Sequence, residues 1–63
     1  MARATVIVQK WVISIGWQYD RGYPEDDEDL ALLRAHLLES KGIPARVCKR
    51  TPKGPQIIYE TER

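Results

Sequence analysis

Cys48 and His36 are the single cysteine and the single histidine of the chain, and together they are the one pair that could act as nucleophile and base. A thiol activated by an imidazole needs a third group to hold the ring and donors to receive the developing oxyanion. The sequence offers neither a third group nor a glycine-rich turn beside them. His36 falls on the flank of a leucine stripe, and Cys48 falls in a strand, facing away from that stripe. The pair therefore reads as a boundary histidine and a small apolar cysteine.

Glu25-Asp26-Asp27-Glu28-Asp29 brings five carboxylates together. General acid–base work needs two carboxyls whose surroundings separate their pKa values. A consecutive run at a helix start instead complements the positive end of the helix macrodipole. Its functional use would be to meet a basic partner. No phosphate loop, dinucleotide glycine motif or metal-ligand spacing is present. One cysteine and one histidine are too few for a structural zinc site. The sequence predicts no enzyme, no metal and no cofactor.

Binding chemistry is better represented. Arg46, Lys49, Arg50 and Lys53 form a basic arm over 46–53. Cations on a two-stranded ribbon can track a phosphate backbone, with Trp11, Trp17, Tyr19 and Tyr23 as stacking surfaces. Against this, ten Lys and Arg stand against nine Asp and Glu, a net charge of +1. Bulk charge therefore does not drive binding to polyanions. The near-neutral total hides opposite patches: −5 over 25–29 and +4 over 42–55.

These residues need elements to position them. Sixty-three residues, 43% of them hydrophobic, allow one domain, 1–63. Such a domain often needs a disulfide, a metal or a partner subunit to be stable, and a lone cysteine excludes an internal disulfide. No run approaches the roughly 20 apolar residues of a membrane span, and no signal-peptide core is visible. The expectation is a cytoplasmic protein without membrane contact.

Residues 5–19 are rich in Val, Ile, Trp and Tyr and read as one long strand that must bend, break near Gln9-Lys10 or Gly16, or project beyond the domain, with Gly16 the first choice for the bend. Its odd positions, from Ile7 through Trp11, Ile13 and Ile15, are the more apolar. Asp20 to Pro24 is a turn, and a helix begins within 24–27. Leu30, Leu33, Leu37 and Leu38 form its apolar stripe. Gly42 in a left-handed C′ position, Ile43 against Leu38 and Pro44 end it. Strands over 43–50 and 56–62 close the chain. Pairing Arg50 with Gln56 sets Cys48 by Ile58, Val47 by Tyr59 and Arg46 by Glu60.

The expected fold is α+β: a β-α-β-β two-layer sandwich with one helix on a three-stranded sheet, half of a ferredoxin-like arrangement. The outer two strands, the first and the one over 43–50, would run parallel with the last between them. The stretch 32–47, with its helix-Gly-Ile-strand order, is similar to segments of many small modules, the peptidoglycan-binding SPOR domains among them. That resemblance implies fold alone.

In this arrangement the helix covers Ile7, Trp11, Ile13, Ile15, Val47, Ile57 and Tyr59. Val6, Val8, Val12, Cys48 and Ile58 are left on an open face, with Leu32 exposed on the far side of the helix. An apolar patch of that kind points to a partner. The functional expectation is a small non-catalytic protein-interaction module using Val6, Val8, Val12, Ile58, Leu32, Glu25, Asp26 and Asp27. Its character is that of a regulator or inhibitor of the phage or mobile-element type, which binds a surface of a larger host complex. The overlong first strand and the uncovered face also predict a two-fold homodimer. The alternative is a small nucleic-acid-binding protein using Arg46, Lys49, Arg50 and Lys53.

Overall fold

The computed structural model describes residues 5–61. A continuous strand over 5–19 would run about 50 Å, whereas the longest extent of the molecule is 32 Å. The chain resolves this by folding back on itself. Strand β1 covers Val6–Val12 and strand β2 covers Gly16–Tyr23, paired antiparallel from Val12↔Gly16 to Val6↔Tyr23. The reversal is tight: the Ile15 amide donates to the Val12 carbonyl at 3.1 Å. Ser14 at φ 74° and Gly16 at φ 98° both occupy the left-handed region. Glycine enters that region without a Cβ penalty. Gly16 thus ends a hairpin rather than bending one strand.

A short 3-10 turn, Glu25–Asp27, leads into helix α1, Glu28–Ser40. The helix ends as expected from Gly42, Ile43 and Pro44. Gly42 has φ 80°, its amide donates to the Glu39 carbonyl at 2.9 Å, and the Ile43 amide reaches back to Leu38 at 3.0 Å. This pair of bonds is a Schellman stop. Strands β3, Ala45–Thr51, and β4, Gly54–Glu60, form the second hairpin.

The sheet has four strands in the order β2-β1-β3-β4, every neighbouring pair antiparallel. The α+β class and the helix-on-sheet layering hold; the three-stranded sheet does not. The hairpin reversal at 13–15 is the reason. It makes β2, not β1, the strand that feeds the helix. The strands that flank the crossover are β2 and β3, and β1 lies between them. The register of β3 with β4 carries Val47↔Tyr59 and Arg46↔Glu60, as expected. On the turn side of a bulge between Val47 and Cys48, Cys48 is opposite Ile57 rather than Ile58, and Arg50 is opposite Pro55 rather than Gln56.

The covered face of the sheet is the reverse of the expected one. The buried residues are Val6, Val8, Ala31, Ala35, Leu38, Ala45 and Val47. Tyr23, Leu32, Ile43, Ile58 and Tyr59 pack around them half-buried. The even positions of β1 therefore lie under the helix. Ile13 and Ile15 are exposed at the hairpin tip, while Leu30, Leu33 and Leu37 are 49%, 63% and 46% exposed. The helix rests on its alanines because a short helix over a small sheet gains most contact by close approach. Ala31 and Ala35, one turn apart, permit that approach, and Val6, Val8 and Val47 fill the remaining space.

Candidate binding surfaces on the two sides of the sheet

The face of the sheet away from α1 takes Ile7, Gln9 and Trp11 from β1 and Trp17 and Tyr19 from β2. Strand β3 adds Arg46, Cys48 and Arg50, because Gln9 pairs with Tyr19 and Arg46, Trp11 with Trp17, and Ile7 with Cys48. Cross-strand partners share a face. Trp11 and Trp17 meet edge to face, centroids 5.4 Å apart at 76°. Arg46 lies over the Trp17 ring with Cζ 4.4 Å from its centroid. Its Nε donates to Gln9 Oε1 at 2.6 Å, which fixes the guanidinium over the ring. A shallow groove of about 420 Å³ crosses this face between Tyr19, Gln9, Cys48, Arg50 and Pro55. Burial raises the Cys48 thiol above its ordinary pKa, so the thiolate that nucleophilic chemistry requires is disfavoured. His36 is on α1, edge-on to Tyr59 at 5.1 Å. The sheet therefore separates it from Cys48.

The helix side carries two polar clusters that the sequence reading did not foresee. Arg34 grips Asp20 bidentately, Nε to Oδ2 at 2.7 Å and Nη2 to Oδ1 at 3.0 Å, with the Asp20 side chain 6% exposed. The hydrogen bonds from Arg34 hold the Asp20 carboxyl below its ordinary pKa, against the opposing effect of burial. At the other end of the helix, Tyr59 Oη donates to both Glu39 oxygens, at 2.6 and 2.7 Å, and Thr61 Oγ1 donates to Oε2 at 2.8 Å. His36 Nδ1 is 2.9 Å from Oε1. Glu39 is thereby lowered, first by Tyr59 and then by Thr61. This cluster clasps Tyr59 and Thr61 to α1.

Beside Asp20 and Arg34, a groove of about 490 Å³ runs between α1 and β2, lined by Arg21, Tyr23, Leu30, Leu33, Arg34 and Leu37. The three leucines stand at i, i+3 and i+7, on one side of the helix.

The expected protein-binding residues are scattered by this fold. Val6 and Val8 are fully buried under α1 and cannot meet a partner. Leu32 and Ile58 pack against the core half-buried; Leu32 is thus a core-flanking residue, not a lone exposed one. Val12 is half-buried beside Pro44 in a groove at the turn end of the sheet. Glu25 and Asp26 are exposed and Asp27 half-buried. The basic arm is divided between the two sides. Lys49 Nζ reaches the helix side, 3.5 Å from both Glu25 and Glu28, so part of each charge patch neutralises the other. Arg46 and Arg50 lie on the open face, and Lys53 is exposed at the β3–β4 turn. Of the expected stacking residues, Trp11, Trp17 and Tyr19 share the uncovered face, which was not foreseen since Trp11 was expected under the helix, while Tyr23 packs against the core on the helix side. The signal for that shared face was Ser14-Ile15-Gly16: read as a hairpin turn, it sets Trp11 against Trp17 directly.

Among the described residues, no group of three or more His, Cys, Asp or Glu is placed to hold a metal ion, and no helix is long and apolar enough to cross a membrane. No protein-family model matches the chain, and no curated relative and no solved structure matches it.

Proposed function

We propose that the chain is a non-catalytic protein-interaction module, and that the surface it uses is the leucine row of α1, closed by a second copy of itself. The observation that carries this reading is the exposure of Leu30, Leu33 and Leu37 in one row beside the Tyr23 groove. A contiguous apolar row of this kind marks an interface. The spacing is that of successive a and d positions in a helix seam. An antiparallel two-fold pairing beside Leu33 would set Leu30 against Leu37 of the second copy. Exposed Asp26 would then approach exposed Lys41. Opposed macrodipoles favour the same orientation.

Sedimentation equilibrium across the micromolar range tests the reading. The expected result is a species of twice 7.3 kDa that dissociates on dilution and is abolished by Leu33→Lys. Lys41→Glu should weaken it, and adding Asp26→Lys should restore it. A single 7.3 kDa species at every concentration overturns it.

A further inference from the structure

The uncovered face of the sheet combines three features that a stacking platform needs. Its aromatic residues lie side by side: Trp17 and Tyr19 are two residues apart on β2, about 6.6 Å along the strand. That spacing is roughly twice the 3.4 Å rise of a stacked nucleic-acid strand, so adjacent bases reach both rings only when the strand is drawn out and unpaired. Tyr19 is 64% exposed, and its ring is open to a flat ligand. Half-buried Arg46 already lies over Trp17, and guanidinium planes and aromatic rings are the surfaces on which unpaired bases stack.

Charge is the third feature. The described carboxylates are concentrated on the helix side. Asp20 is held by Arg34, residues 25–29 lie at the helix start, and Glu39 is in the Tyr59 cluster. On the open face, among the described residues, Glu60 is the one carboxylate, and it is paired in register with Arg46. Arg50 remains exposed there, with Lys53 at the adjoining turn. The chain is thus near-neutral in total, and its described residues are cationic on the aromatic side.

We infer that this face binds single-stranded nucleic acid: bases stack on Tyr19 and on the Arg46–Trp17 pair, while Arg50 and Lys53 contact the phosphates. This is a different surface from the leucine row, on the opposite side of the sheet, and it stands whether or not the chain self-associates. A duplex hides the faces of its bases, presenting phosphates and base edges instead, so it lacks the stacking contribution.

Both tryptophans of the chain lie on this face, so intrinsic fluorescence reports occupancy directly. The experiment is titration of the full chain with a short oligothymidylate, followed by tryptophan quenching and by anisotropy of a labelled strand at several salt concentrations. The expected result is saturable quenching, with log K falling linearly in log salt. Arg50→Ala should reduce that slope by about 0.7. Tyr19→Ala should weaken binding about tenfold while the chain stays folded, its melting temperature lowered only by the modest cost of a largely exposed strand residue. Leu33→Lys, on the other side, should bind as tightly per chain, which separates this proposal from the dimer. Absence of quenching and of anisotropy change at low salt overturns the proposal. So does duplex DNA binding as tightly as the single strand, or Tyr19→Ala binding undiminished.

Discussion

Leu38→Ala and Leu33→Ala remove the same three carbon atoms from one helix, and their positions give them different consequences. Three methylene-sized groups are worth about 2.4 kcal/mol at about 0.8 kcal/mol each. Leu38 is 3% exposed, so nearly all of that is lost, and the cavity left between Val47 and the helix raises the cost to roughly 3–4 kcal/mol. Leu33 is 63% exposed. A little over a third of its transfer energy is at stake, about 0.9 kcal/mol, and the better helix propensity of alanine offsets a few tenths. A domain of this size holds about 3–9 kcal/mol in all. Leu38→Ala should therefore remove at least about a third of that total, while Leu33→Ala removes well under about 1 kcal/mol. Urea unfolding followed by circular dichroism, at a concentration where the chain is monomeric, measures both. Equal costs for the two, or less than about 1 kcal/mol for Leu38→Ala, would refute the packing of α1 on its alanine side.

Gly42→Ala should destabilise by about 1 kcal/mol; an added Cβ meets nothing within 4 Å, so the whole effect comes from φ 80°, and an unchanged urea midpoint would remove the left-handed stop from the account. Asp20 and Glu39 both have depressed pKa values in the folded state, from Arg34 and from Tyr59 with Thr61 respectively. Their stabilisation is complete above the ordinary carboxyl values and disappears as pH falls through the folded ones. Asp20→Asn should lower stability at neutral pH and flatten the acid limb below about pH 4; an acid limb as steep as that of the parent chain would show that the Arg34 grip contributes nothing.

The local grammar of the chain was legible because short-range chemistry dictates it. Gly42, Ile43 and Pro44 specify the helix stop whatever the helix packs against. The acidic run marks the helix start, since the macrodipole acts within one turn. The two closing strands were legible from their alternation, whereas the Val47↔Tyr59 and Arg46↔Glu60 pairs depend on the bulge beside Val47, since the turn itself sets Arg50 against Pro55. The α+β class follows from the order of these elements.

Two things were decided only in three dimensions. One was whether residues 5–19 form one strand or two. Strand-favouring residues run straight through Ile13-Ser14-Ile15, and Ser14 takes a left-handed conformation that its type does not announce. The limited size of the globule forces the reversal. The other was which side of each element is covered. On β1 both sides carry apolar residues, and on α1 leucines and alanines occupy adjoining stripes, so periodicity alone favours the bulkier set. Close packing favours the smaller one, because Ala31 and Ala35 let the helix approach Val6, Val8 and Val47. That choice left Trp17, Tyr19 and the leucine row facing outward. Both candidate binding surfaces are therefore consequences of the tertiary packing: the leucine row is made from residues that periodicity assigns to the core, and the aromatic face is left open because the helix covers the other side of the sheet.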